Sequence, residues 1–164
     1  MNLIVVGGDS TSEDFVVELK RLAGSLGISE RVKFIGSISQ PELADYYRAA
    51  DVLIFPSYYE SFGLVALEAM VSGIPVVASR VGGLTDLVKN GETGYLVPFR
   101  CAESFTEKLE VILANPSLQE AMGKSANAIA MKCGWEDVAK NLAKFYMSLS
   151  SEFSLESKKI IEIV

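Results

Sequence analysis

The chain has no histidine among its 164 residues. That removes the commonest general base and metal ligand, and with it any Ser-His-Asp or Cys-His relay built within this chain. Cysteine is scarce: Cys101 and Cys133 show no metal-ligand spacing, so no metal site is expected and a reduced, cytoplasmic setting is the default. Positive charge is also short. Lys and Arg number 15 against 21 Asp and Glu, a net charge of −6, which speaks against nucleic acid as a partner. No apolar run reaches the roughly 20 residues of a membrane span, so no transmembrane segment is expected. The N-terminus MNLIVVGGDS lacks the basic start of a signal peptide. Gly7-Gly8 is not a GxGxxG fingerprint, and the acidic residue expected about 20 positions later is not distinctive. A nicotinamide cofactor is therefore discounted, and no repeat or low-complexity segment is evident.

What remains is a globular composition, 49% hydrophobic and 22% charged. The length suits one domain that buries about 70% of its unfolded surface. Short β-branched runs alternate with helical patterns. Strands are expected at Leu3–Val6, Val32–Ile35, Val52–Phe55, Pro75–Ala78 and Tyr95–Val97. Asp9, Ser10 and Thr11 offer N-caps for a helix through about Leu26, and Ser39-Gln-Pro-Glu42 opens a second helix to about Ala49. A buried helix is expected over Leu64–Val71 and a short one over Leu84–Val88. Helices at about 102–114, 117–132 and 135–149 follow, broken at Asn115-Pro116 and Gly134. Continuous apolar strands alternating with helices imply a doubly wound, Rossmann-like parallel sheet in a three-layer α/β/α arrangement with C-terminal helices. The expected organisation is one domain over residues 1–150 and a tail or crossing helix over 151–164. Ligands of such sheets sit beyond the carboxyl ends of the strands. The loops Gly7–Thr11, Gly36–Ser39, Pro56–Gly63 and Ser79–Gly83 are therefore expected to line one rim.

The most informative stretch is PSYYESFGLVALEAMVSGIPVVASRVGG, Pro56 to Gly83. Between Glu60 and Arg80 its single charge is Glu68, inside the apolar run LVALEAMV. A helix apolar on every side is normally buried, and a buried carboxylate is costly unless it is hydrogen-bonded. Either Glu68 is paired in the core or it meets a ligand rich in hydroxyls. Ser61-Phe62-Gly63-Leu64 opens this helix, where free N–H groups and the dipole favour an anion. Gly63 lets a diphosphate approach the backbone, or it merely serves a tight turn. Glu60 and Glu68 are eight residues apart. Along one helix that is roughly 12 Å, beyond the roughly 5–9.5 Å of a glycosidase pair. Two carboxylates on separate hydroxyls of one long ligand fit better. Glu60 can equally be a solvated helix-entry charge. Gly82-Gly83 either shapes a loop or brings backbone to the same ligand. Tyr46, Tyr47, Tyr58 and Tyr59 read as packing residues and Trp135 as a core anchor.

RVKFIGSIS (31–39), YYRAADVLIFPSYYESFGLVALEAM (46–70), SGIPVVASRVGG (72–83), NGETGYLVP (90–98) and GWEDVAKNL (134–142) occur in that order. Together they resemble the C-terminal, donor-binding domain of retaining glycosyltransferases with the two-domain GT-B architecture, family 4 or "group 1". The likeness runs from about Leu3 to Leu149, and its E-x7-E element, Glu60 to Glu68 around FGL, is specific in this context. PSYYESFGLVALEA is most similar to the branch with sucrose-phosphate-synthase-like and mycothiol-pathway enzymes, which use UDP-sugars. The resemblance implies that Glu60 acts on hydroxyls of the donor sugar as the catalytic-site carboxylate. It implies that the backbone of Ser61, Phe62, Gly63 and Leu64 holds sugar and diphosphate. Glu68 would bind the ribose hydroxyls, and the Gly36–Ile38 loop would contact the base. The nucleotide sugar is then a substrate, with no cofactor and no catalytic metal generally required. In the family this domain begins one strand earlier, with a GRL…KG segment whose Arg and Lys neutralise the diphosphate. The resemblance implies that this chain starts at the next strand, without that Arg and Lys and without the N-terminal acceptor domain, and Asp86 stands where a Glu is usual. The expectation is a fragment that prefers a UDP-sugar, with GDP-mannose second, and cannot transfer hexosyl groups alone; its acceptor is unknown. The alternative is a non-catalytic binding or interaction module left by truncation.

Overall fold

A computed structural model describes residues 1–8 and 13–161, with side chains for 1–8 and 14–149. The proposed caps Asp9, Ser10 and Thr11 lie outside the described residues, as does the end of the expected tail, 162–164. The chain divides into two compact units, Met1–Ala49 and Ala50–Val164.

In the first unit β1 (Leu3–Val6) pairs in parallel with β2 (Val32–Gly36), and α1 (Glu13–Ser25) and α2 (Gln40–Ala49) follow the two strands. A single 3-10 turn at Ser29–Arg31 leads into β2. The start of α2 carries the Glu half of a capping box. Glu42 Oε2 accepts from the Ser39 N–H at 3.0 Å and from Ser39 Oγ at 2.6 Å. These bonds favour the charged carboxylate and hold Glu42 below its ordinary pKa.

The second unit holds a three-stranded parallel sheet in the order β3 (Leu53–Phe55), β4 (Val76–Ser79), β5 (Gly94–Val97). Between the strands run α3 (Leu64–Val71) and α4 (Leu84–Leu87); α5 (Ala102–Leu113), α6 (Pro116–Ala130) and α7 (Trp135–Ile161) follow. All four residues of β4 are buried, so both faces of the sheet are covered there. Val77 joins Val97, Phe105, Ile112 and Met122 in a cluster beneath α5 and α6. Strand alternation turns Val76 and Ala78 to the opposite face. Asn115 caps α6 by accepting from the Leu118 N–H at 3.0 Å, with Pro116 in the first turn. Parallel strands with flanking helices make this a Rossmann-like α/β fold with C-terminal helices. No helix among the described residues is long and apolar enough to cross a membrane.

Three sequence expectations change. The helix Leu64–Val71 forms with those bounds but is not buried all round: Ala66, Ala69 and Met70 face inward, while Leu64, Val65 and Val71 are exposed. Trp135 is 87% exposed at the start of α7 and anchors no core. Tyr58 and Tyr59 are exposed as well, whereas Tyr47 is buried as expected. In each case the sequence reports that a side chain is apolar, not whether another surface covers it.

Candidate functional site

Since β3, β4 and β5 are parallel, their carboxyl ends share one edge of the second unit's sheet. The β3–α3 loop, residues 56–63, is built from both sides at this edge. Gly63, the residue before α3, has φ +98, which a residue with a Cβ adopts only with strain. A Cβ there would also stand 2.8 Å from Leu84 Cδ2. Gly63 is thus needed for the turn itself.

Gly82 and Gly83, in the loop after β4, seat directly on this segment. The Gly83 N–H donates to Glu60 O at 3.1 Å. A Cβ on Gly82 would collide with Glu60 O, and one on Gly83 with the backbone of Ser61 and Phe62. The double glycine permits close approach of two backbones, and the surface approached is the Glu60 loop.

Glu60 lies ahead of α3 and turns its carboxylate back on its own loop. Oε1 accepts from the N–H of Phe62 at 3.2 Å and of Gly63 at 3.1 Å. It is a half-buried anion at the entry to α3, where the helix dipole favours negative charge. The first intrahelical bond runs from the Leu67 N–H to Gly63 O at 2.9 Å, so the N–H groups of Leu64, Val65 and Ala66 come before the ladder. Glu68 sits in the second turn of α3. It is half-buried rather than sealed in the core, and it is not without a partner. A carboxylate that reaches solvent carries a smaller desolvation cost than a fully buried one. Because Glu60 precedes the helix, the two carboxylates do not lie along one helix, and the helical-rise spacing does not describe them. The far end of α3 is held by Asn127 Nδ2, which donates to Val71 O at 2.6 Å.

The structure therefore gathers Glu60, Ser61, Phe62, Gly63, Leu64 and Glu68 at the head of α3, with Ser61, Phe62 and Leu64 exposed. Gly36 and Ile38 belong to the first unit. There the Gly7 N–H donates to Gly36 O at 2.8 Å, and Ser37 Oγ donates to Gly8 O at 2.6 Å. Those contacts stitch the two strand-end loops of that unit together. Arg80 bonds from Nη2 to Leu96 O at 3.3 Å. Sequence reasoning passed over Arg100, whose guanidinium lies 4.8 Å from the centroid of the Tyr58 ring. No local signal marks it, since the contact joins loops 42 positions apart (100 − 58).

Residues 1–128 match the family described as Glycosyl transferases group 1. A D-inositol 3-phosphate glycosyltransferase of Kribbella flavida is 44% identical over 135 residues, 82% of this chain and 32% of that protein. The chain thus spans about a third of the length of the curated relatives it matches. Among solved structures, sucrose-phosphate synthase from Thermosynechococcus elongatus aligns with a TM-score of 0.81 at 38% identity, covering 92% of this chain and 39% of that one. Anabaena HepE in complex with UDP aligns with a TM-score of 0.79 at 30% identity, covering 92% and 41%.

Proposed function

Because the chain belongs to the glycosyl transferases group 1 family, we propose that it is the donor-binding part of a glycosyltransferase that uses a nucleotide-diphosphate sugar, by preference a UDP-sugar. The reaction proposed is transfer of a hexosyl group, with retention, to an acceptor held by a further domain. One observation carries the reading. The backbone at the head of α3 combines a carboxylate poised on N–H groups with further first-turn N–H groups, in a fold shared with a protein solved with UDP at 30% identity.

The geometry supports an exchange of partners. A diphosphate at the head of α3 finds the dipole and the N–H groups of Leu64–Ala66 favourable, but meets the Glu60 charge. If Glu60 turns toward donor hydroxyls, which can donate to it, the N–H groups of Phe62 and Gly63 are released to donate to the anion. Glu68, half-buried one turn further on, is assigned to the ribose hydroxyls. The role of Gly36 and Ile38 in base binding is a separate proposal, tested by substituting Ile38 alone. The nucleotide sugar is substrate, and no cofactor enters the reading. A cytoplasmic setting is part of the proposal and rests on two free thiols, Cys101 and Cys133.

Calorimetry of the chain with UDP, GDP and ADP is the test. Binding of UDP that Glu68→Ala weakens by about ten- to a hundredfold, the worth of one charged hydrogen bond, supports the donor site. No binding of any nucleotide at millimolar concentration favours the inert module instead. We also propose that these 164 residues alone do not transfer sugar. Turnover of UDP-glucose by the isolated chain with any acceptor would overturn that.

A further inference from the structure

The loop that carries Glu60 borders open space. An open cavity of about 680 Å³ lies against it, lined by Pro56, Tyr58, Arg100, Phe105 and Thr106 among others. The Tyr58 side is 66% exposed, so core packing does not hold this part of the loop. What reaches it is Arg100, from the turn between β5 and α5, at the 4.8 Å separation of a cation–π contact. Arg100 has φ +59 and is the one non-glycine residue with positive φ among those described. That backbone conformation is unfavourable for a residue with a Cβ, so it persists only where the surroundings impose it.

We propose that Arg100 is a positioning residue for the Glu60 carboxylate. Its guanidinium holds the Tyr58 ring, two residues before Glu60, and anchors the free side of the loop. Gly83 anchors the other side through Glu60 O. With both points held, the carboxylate stays within reach of the Phe62 and Gly63 N–H groups. Its importance for ligand binding rests on the donor-site reading above; the anchoring itself does not.

The test is amide hydrogen exchange on the full chain, with UDP calorimetry beside it. Arg100→Gly removes the guanidinium while relieving the backbone, so a folding defect does not mask the result. Tyr58→Leu removes the ring, and Tyr58→Phe keeps it. Exchange at Phe62 and Gly63 is expected to rise in Arg100→Gly and Tyr58→Leu by roughly two- to fivefold, the range that an exposed cation–π contact supports. It stays at the wild-type rate in Tyr58→Phe, and the β4 amides stay unchanged in all three variants. UDP affinity falls by a similar factor in the first two. Equal exchange at Phe62 and Gly63 in wild type and Arg100→Gly overturns the proposal, whatever UDP does. A wild type that takes up no UDP while those amides still respond leaves the anchor standing and counts against the donor site alone.

Discussion

β1 and β4 are both four-residue, mainly apolar strands, LIVV and VVAS, and they are covered very differently. Val76, Val77 and Ala78 are fully buried, while Leu3 and Ile4 remain 39% and 48% exposed. β4 has a hydrogen-bonded neighbour on each side and is buried on both faces. Among the described residues β1 has one neighbour, β2, in a unit whose buried apolar residues are Ala23 and Tyr47. The same local pattern therefore gives a stiff platform in one unit and a sparsely covered ladder in the other. The candidate site draws its residues mainly from the well-covered unit. A carboxylate and a row of N–H groups keep their geometry only if the strands beneath them do.

The contrast is most severely tested by truncation in the two units. Ile112→Ala in the second unit is expected to cost about 2–5 kcal/mol, because Ile112 is fully buried in the cluster under α5 and α6. Ile4→Ala, half-exposed, is expected to cost less than about 1 kcal/mol by chemical denaturation. Equal costs would break the comparison. Gly83→Ala comes next, at about 1–3 kcal/mol, as its methyl collides with the Ser61 and Phe62 backbone. Its readout is a lower denaturation midpoint together with faster exchange at Phe62; an unchanged midpoint would mean the loops separate freely. Trp135→Ala is expected to change stability by no more than about 0.5 kcal/mol, because the indole is exposed although it belongs to the second unit. A large loss would show that unit membership, rather than cover, sets the contribution.

The smallest effect is expected at the Ser39–Glu42 pair that opens α2 in the first unit. Glu42 titrates below its ordinary value because Ser39 hydrogen-bonds the charged form. A carboxylate with a depressed folded-state pKa contributes its stability above its unfolded pKa and loses it as pH falls through the lower, folded one. The α2 amides near Ser39 should therefore lose protection, measured relative to the intrinsic exchange rate at each pH, as the solution is acidified below the ordinary Glu range. Glu42→Gln should remove that acid-dependent loss of protection; a loss that persists in the variant would assign it to another group.

Much of this was legible beforehand because the signals are local. LIVV, VKFI, VLIF and PVVA carry strand character by composition, and the strands form within a residue of those bounds. Ser39-x-x-Glu42 and Asn115-Pro116 mark helix starts through bonds to residues within three positions. Leu64–Val71 was readable to its bounds, since Gly63 and Gly73 flank one apolar run. What could not be read is which of its sides would be covered. The same holds for Trp135, whose size suggests burial although no surface among those described covers it. The site divides in the same way. Glu60, FGL and Glu68 stand out as a segment, and Gly82-Gly83 is visible as a pair. That the pair exists to seat one backbone on Glu60 depends on contacts more than 20 positions away.

The sequence by itself determined the alternation of strands and helices, the parallel ladders that follow from it, and the clustering of candidate residues at the head of α3. Periodicity, caps and turn residues act over a few positions and need no partner. Tertiary structure alone decided that Glu68 would be half-buried, that Glu60 would turn back onto the Phe62 and Gly63 N–H groups, and that Arg100 would lie over Tyr58. The physical reason is that burial and close contact are properties of two surfaces, and a run of residues in sequence specifies only one of them.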